Sequence, residues 1–459
     1  MKHTGFTERA ATCGLTLREI APFQVEGRVV ALSGLVVDVD GLAGHVAVGN
    51  RLTLETRRGQ TIAGEVVGFR HGIAQAMPLG PLDGLGPGSR VLLSGRPLPQ
   101  GGVAFGNGGT LAVANAWLGR VIDPLGRPLD GKGALPKGPE PRSLRGTPPH
   151  ATERARLGPR LDLGVRALNC FATCRQGQRL GLFSGSGIGK STLLAMLARH
   201  TECDVAVLAL VGERGREVRE FLEDDLRAEG LARSVVVVAT SDQPPLMRRQ
   251  AAYAAMTVAE HFRDQGMSVL LLMDSITRYC FALREIGLAT GEPPATRGYP
   301  PSVFAELPRL LERAGPGRDQ PTPGHITALF SVLVEGDDIN EPVADAVRGI
   351  LDGHVVLDRR IAEGGRYPAI DVLRSLSRAV PGCNAEDENA LARRARAILA
   401  LYADMADMIR LGAYRMGSDP AVDEAITLAP RIEALLRQER NERTGIEEGF
   451  ALLGSAMRV

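Results

Sequence analysis

From Val25 to about Leu98 apolar and polar residues alternate in short runs, GRVVALSGLVVDVDG, HVAVGNRLTLE, TIAGEVVGF and SRVLLSG, with glycine-bearing turns between them. Alternation of period two sends every second side chain to one face, so residues 25–100 are expected to form a small β-barrel or sandwich. From about Leu161 the texture changes. RLGLFSG, DVAVLALVG, SVVVVAT, SVLLLMD and ITALFSVLV are continuous apolar runs, as in strands covered on both faces, and helical stretches separate them. This α/β pattern predicts a parallel sheet over 161–380. Beyond Pro381 the charged, helix-forming NALARRARAILALYADMADMIR and DPAVDEAITLAPRIEALLRQ predict a helical domain over 381–459. Residues 101–160 contain the Pro- and Gly-dense GKGALPKGPEPRSLRGTPPH at 131–150 and read as a linker. Residues 1–24 form a separate polar N-terminal segment that closes on the weakly amphipathic LTLREIAPF.

At 459 residues the chain exceeds one ordinary core, in line with several domains. Lys and Arg number 54 against 53 Asp and Glu, and a near-neutral balance argues against a polyanion-gripping protein, whose signature is a basic excess. Aromatics make up 4% and Trp117 is the lone tryptophan, which leaves few stacking platforms for single strands; no nucleic-acid partner is expected. The cysteines (Cys13, Cys170, Cys174, Cys203, Cys280, Cys383) lack paired CxxC spacing and read as reduced thiols rather than metal ligands. The N-terminus has no apolar stretch of signal-peptide length, and no run approaches the ~20 apolar residues of a membrane span. A cytoplasmic protein is expected.

The chemistry concentrates at LGLFSGSGIGKSTLLA, an apolar strand running into a glycine-rich turn and then a helix. Gly185, Gly187 and Gly189, with Ser184, Ser186 and Ile188 between them, let successive backbone N–H groups face inward around phosphates. Lys190 would reach the β- and γ-phosphates of ATP, the Ser191 hydroxyl would bind Mg²⁺, and Thr192 continues into the helix. Ser184 stands where the strict pattern has glycine. A second apolar strand, SVLLLMDSITRY, delivers Asp274 to its C-terminal end as a Mg²⁺ partner. In ALVGERGREV, Glu213 follows a third strand. Spacing alone leaves two readings of it, a residue orienting the attacking water or a helix-start carboxylate facing a dipole.

GLFSGSGIGKSTLL, VGERGREV, MDSITRY, GEPPATRGYPPSVF, EGDDINEPVADAVRGILDGHVVLDRR and YPAIDVLRSLSR follow one another between Gly181 and Arg378, within a resemblance that runs from about residue 25 to about 440. In these motifs the chain resembles the α/β subunit family of rotary ATP synthases and their type III secretion relatives. MDSITRYCFALREIGLATGEPPATRGYPPS and GAYRMGSDPAVDEAI make it most similar to the flagellar export branch. A virulence-type secretion ATPase is the alternative within the family, and a RecA-fold nucleic-acid translocase the alternative outside it. The resemblance implies an N-terminal β-barrel, a RecA-like P-loop NTPase core and a C-terminal helical domain, assembled as a homohexamer. It implies Mg-dependent ATP hydrolysis coupled to substrate unfolding, chaperone release and delivery at an inner-membrane export gate, with the chain peripheral on the cytoplasmic side.

Residue by residue, Lys190, Ser191 and Asp274 match the family's phosphate and Mg²⁺ ligands, and Glu213 its catalytic glutamate. Arg214 and Arg278 match arginines near the phosphates, Arg378 in SLSR the arginine finger of a neighbouring subunit, and Tyr367 the aromatic stacked on adenine. Residues 1–24 match in position a segment that binds a stator-like regulatory protein; gate membrane proteins, export chaperones and substrates are the other implied partners. Ser184 and Glu341, which stands where relatives usually carry Asp, are departures that keep small size and charge respectively. Away from these motifs, Arg393, Arg394 and Arg396 read as a solvated helix face, and His325 and His354 as hydrogen-bonded core residues.

Overall fold

The computed structural model describes residues 25–93, 109–334 and 341–458, with the backbone of two short strands at 96–97 and 103–104. The expected regulator-binding segment 1–24 lies outside them. The alternating N-terminal runs form β1 (Glu26–Ser33), β2 (Val36–Asp40), β3 (Arg51–Glu55), β4 (Thr61–Arg70), β5 (Ile73–Pro78) and β6 (Arg90–Leu93). They close in the order β1-β2-β5-β4-β3-β6, with β6 pairing back onto β1. Of the two architectures that alternation permits, the chain takes the barrel. Val29, Val37, Val39, Leu52, Leu54, Val66 and Val91 fill its interior, and closure leaves no open strand edge.

The continuous runs build one sheet from β7 (Arg120–Ile122), β8 (Arg179–Ser184), β9 (Val205–Glu213), β10 (Ser234–Thr240), β11 (Ser268–Asp274), β12 (His325–Leu333), β13 (Gly353–Leu357) and β14 (Ile370–Ser377). Its order is β7-β10-β9-β11-β12-β8-β13-β14, parallel along this path except for the antiparallel β13–β14 pair, with the two-residue strand Gly315–Pro316 added antiparallel to β12. Both faces are covered, which is why these strands carry no polar alternation. Ala206, Leu208 and Leu210 of β9 pack into one core with α1 (Lys190–His200), whereas Val205, Val207 and Ala209 pack into the other with α2 (Pro245–Arg263), α3 (Ile276–Ala289) and α4 (Pro301–Leu311).

The stretch read as a linker is partly core. β7 pairs in parallel with β10 as an edge strand of the sheet, and Leu111, Val113, Trp117, Ile122 and Leu144 are buried. Local Pro and Gly density concealed these scattered apolar anchors.

The C-terminal run forms α5 (Glu386–Arg410), α6 (Pro420–Leu436) and α7 (Ile446–Ala456), with Asp419 capping α6 by accepting from Ala421 N at 2.8 Å. Ala395, Ile398, Leu428, Ile432, Phe450 and Leu453 join the same core as α1. Arg393 and Arg394 are exposed as expected, but Arg396 is not part of a solvated face. It donates to the carbonyls of Val372 and Phe171 and to Ser375 O at 3.1 Å, and its guanidinium lies over the Phe171 ring, so it ties α5 to β14 and the short helix at 166–171. His325 is buried with its ring nitrogen 3.3 Å from Arg156 O, and His354 meets the Phe183 ring edge-on. Among the described residues no helix is long and apolar enough to cross a membrane.

Barrel and sheet meet at a charged junction. Glu65 of β4 is 1% exposed and accepts from Arg249 of α2 at 2.6 Å and from Arg145 at 3.1 Å, with Arg51 of β3 at 3.7 Å. Removing one partner of a buried pair strands the other charge, so Glu65→Ala should cost about 3 kcal/mol, read as a lower urea midpoint and easier tryptic release of the barrel. Glu65→Leu combined with Arg249→Met should recover only part of that loss, because Arg145 and Arg51 still lose the carboxylate. A midpoint unchanged in Glu65→Ala would show that apolar contacts alone hold the junction.

Candidate active site

Parallel strands deliver their carboxyl ends to one edge of a sheet, and here β8 ends at Ser184, β9 at Glu213 and β11 at Asp274. After β8 the chain turns through Gly187 (φ 78°) and Gly189 (φ 82°), left-handed values that glycine adopts without strain. Buried Ile188 pins the turn to the core below, and α1 then starts at Lys190 with the unpaired N–H groups of a helix N-terminus. Arg359 braces the turn from the side by donating to Ser186 O at 3.1 Å.

Between the loop strand β8 and the carboxylate strand β11 lies one other strand, β12. That puts loop and carboxylate roughly 10 Å apart across the sheet, a gap bridged by side chains. Lys190 extends across it and its ammonium is ion-paired with Asp274 Oδ1. The same ammonium is 3.8 Å from Glu213 Oε1, which in turn is 3.3 Å from Arg278 Nε. The Arg278 guanidinium also donates to the Gly212 carbonyl. Gly212 (φ 71°) and a register shift between Val211 and Glu213 turn the end of β9, and this local irregularity accompanies the glutamate's arrival at the cluster. On β12, the fully buried Ser331 donates to Asp274 Oδ1 at 2.6 Å.

Two carboxylates and two cations thus share a small, largely buried volume. Burial first, and the neighbouring Asp274 charge second, push the Glu213 carboxyl up to about 7, against the opposing pull of Lys190 and Arg278. A carboxyl poised there can hold or release a proton near neutral pH. Ser184 Oγ and Glu213 Oε1 are buried without a hydrogen-bond partner at this edge. With the Ser191 hydroxyl and the Asp274 carboxylate they offer hard oxygen donors, a set that fits Mg²⁺, which keeps most of its own waters.

Tyr367 is 46% exposed and its ring flanks the loop; a Cβ on Gly189 would lie 3.2 Å from it, a second reason for glycine there. Thr192 is half-buried in the first turn of α1. Arg214 stands outside the cluster, exposed and 3.4 Å from Glu217. Arg378 is farther away. It follows β14 at the sheet edge, where Ser377 pairs with Gly353 and so stands level with Leu180, roughly 13 Å along the strand direction from Ser184. Within one chain the structure therefore brings together Lys190, Glu213, Asp274, Arg278 and Tyr367 around the loop, and leaves Arg378 exposed and apart. Ser331 and Arg359 escaped the sequence reading. A hydroxyl within the apolar run ALFSVL was the one available sign of the first, and nothing local marked the second.

Family models match three segments in chain order: the ATP synthase alpha/beta family β-barrel domain at 29–95, its nucleotide-binding domain at 164–377, and the T3SS EscN ATPase C-terminal domain at 385–455. The chain is 52% identical to the flagellum-specific ATP synthase of Caulobacter vibrioides, over 96% of this chain and 98% of that one. It is 46% identical to the type 3 secretion system ATPase of Xanthomonas euvesicatoria, over 95% and 96%. Among solved structures, the assembled ATPase EscN of the enteropathogenic E. coli type III secretion system superposes with a TM-score of 0.84 at 38% identity, covering 94% of this chain and all of that one. The same ATPase in complex with its central stalk EscO gives 0.82. With three family models matched in chain order and relatives aligned over nearly the full chain, the chain belongs to the ATP synthase alpha/beta family, in the branch that holds the flagellum-specific ATP synthases and the type III secretion ATPases.

Proposed function

We propose that the chain hydrolyses ATP with Mg²⁺ at the loop end of its central sheet, as a homohexamer that drives type III protein export in the flagellar system. The convergence of the glycine loop, Lys190, Glu213 and Asp274 on one sheet edge carries this reading. Residues 184–189 cradle the phosphates with backbone N–H groups, and Thr192 extends that contact into α1. Lys190 leaves Asp274 for the β- and γ-phosphates, and Tyr367 stacks on the adenine. Ser191 and Asp274 would hold Mg²⁺, which when bound neutralises phosphate charge. Glu213 orients the attacking water and accepts its proton, a role suited to a carboxyl raised to about 7. Arg278, beside Glu213, and Arg214 at the rim counter the charge that spreads over the transferring phosphoryl group.

Arg378 is set apart from its own loop, which suits delivery to a neighbour's nucleotide. Because Glu213 and Arg378 sit on one chain, every interface of a homomeric ring has both. The proposed limits are a barrel over 25–100, a nucleotide domain over 161–380 joined by part of 101–160, and a helical domain over 381–459. In this reading the ring sits in the cytoplasm, peripheral at the inner-membrane export gate. It receives substrates and chaperones there and binds a stator-like regulator through residues 1–24. The flagellum-specific relative at 52% identity, against 46% for the Xanthomonas secretion ATPase, favours the flagellar over the virulence system. A deletion strain that keeps its flagella but loses effector secretion would reverse that choice.

Three measurements test the site. Glu213→Gln should lower turnover by about 10²–10⁴ while nucleotide still binds; hydrolysis near the wild-type rate would remove the glutamate from the mechanism. Wild-type Mg-ATPase activity per chain should climb with protein concentration in step with light scattering. Arg378→Ala should bind nucleotide normally and lose about 10³ or more of the assembled rate. A rate per chain that is flat across assembly would mean complete sites in single subunits. Tyr367→Ala should weaken ATP binding by about 1–3 kcal/mol, as loss of a base-stacking ring does elsewhere.

A further inference from the structure

Asp274 Oδ1 receives two donors, the Lys190 ammonium and the Ser331 hydroxyl. The two differ in freedom. Lys190 is a long, half-buried side chain on a loop-to-helix junction, and in the mechanism above it is drawn off to the nucleotide's phosphates. Ser331 is fully buried near the C-terminal end of β12, a strand hydrogen-bonded on both sides by β8 and β11, and its short side chain has no comparable reach. Registers across these strands place Ser331 beside Leu182 and Phe330 beside Met273, so the hydroxyl stands level with the end of β11. The terminal torsion of an aspartate is broad and weakly preferred, so a carboxylate without a fixed donor samples many orientations. A 2.6 Å bond from a hydroxyl to an ionised oxygen is short and charge-assisted, and it selects one of them.

We infer that Ser331 is a positioning residue for Mg²⁺ binding: it holds the Asp274 carboxylate in the ion-receiving orientation once Lys190 has moved to the phosphates. The inference rests on the reading of Asp274 as the Mg²⁺ carboxylate. It also explains why a single polar side chain interrupts an otherwise apolar stretch of strand, ALFSVL, in the interior of the sheet. A hydroxyl there would otherwise be a buried polar group in need of a partner.

The test compares fluorescent-ADP affinity with Mg²⁺ and with EDTA for the full-length wild type, Ser331→Ala, Ser331→Thr and Asp274→Asn, with thermal unfolding of each in EDTA. Partners that hydrogen-bond a metal's carboxylate typically contribute 10–100-fold in metal affinity, so Ser331→Ala should raise the Mg²⁺ concentration for half-maximal tightening by about 10-fold or more. Its affinity in EDTA and its unfolding midpoint should stay close to wild type. Ser331→Thr, which keeps the hydroxyl, should restore the Mg²⁺ response. Wild-type Mg²⁺ dependence in Ser331→Ala, alongside a lost response in Asp274→Asn, overturns the role of Ser331 and leaves the site reading standing. Equal weakening in Mg²⁺ and EDTA reduces the serine to packing and overturns it as well. An Asp274→Asn protein that retains the full Mg²⁺ response sinks the site reading, and this inference with it.

Discussion

Parallel pairing in register is the constraint from which the rest of the molecule follows. Met273 lies beside Phe330, Leu182 beside Ser331 and Leu210 beside Asp274, so three strands from distant parts of the chain reach one edge, β8 running two residues and β9 three beyond the level of Asp274. A slip of one residue on any of them would turn its inward side chains to the other face. It would also carry Asp274 or Glu213 away from Lys190. The apolar content of these strands is therefore more than ballast. Each buried Val or Leu on two covered faces penalises the slipped registers, and that penalty is what sets the spacing of the charged groups at the edge.

Given that frame, the charges at the edge account for one another. Lys190 and Arg278 offset Asp274 and Glu213, yet burial leaves the glutamate's carboxyl well above its ordinary range. An arrangement of this sort is costly to bury, and any anion arriving at the edge must be met by the two cations. The same reasoning separates the roles of the two strongly placed cations. Lys190 sits on a mobile stem and can change partners, whereas Arg278 is tied to the Gly212 carbonyl and stays at the end of β9.

Much of this was legible in the residues themselves because its signals are local. Glycine spacing before Lys190, an apolar run ending in Asp274, and the switch from alternating to continuous hydrophobicity each occupy a dozen residues or fewer. Barrel closure was not legible, since it depends on β1 meeting β6 across most of the domain, and alternation is equally good in a sandwich. Residues 120–122 were hidden for a different reason: three residues are too short a run to announce a strand amid Pro and Gly, and only β10 makes them one. Glu213 was ambiguous on spacing, because a helix-start carboxylate and one facing Lys190 read alike until the turn at Gly212 is known. Tyr367 at Gly189 and Ser331 at Asp274 join positions far apart in the chain, and no window of sequence contains both partners.

The Glu65 junction bears on how the barrel moves. One carboxylate engages guanidiniums from β3, from the segment between β7 and β8 and from α2, so any hinge between barrel and sheet would have to pull a buried charge away from its partners. Such a joint resists bending. A barrel fastened in this way works as a rigid collar on its subunit. Arg249 lies in the first turns of α2, so the barrel is anchored to the helix that follows β10 and goes where that helix goes.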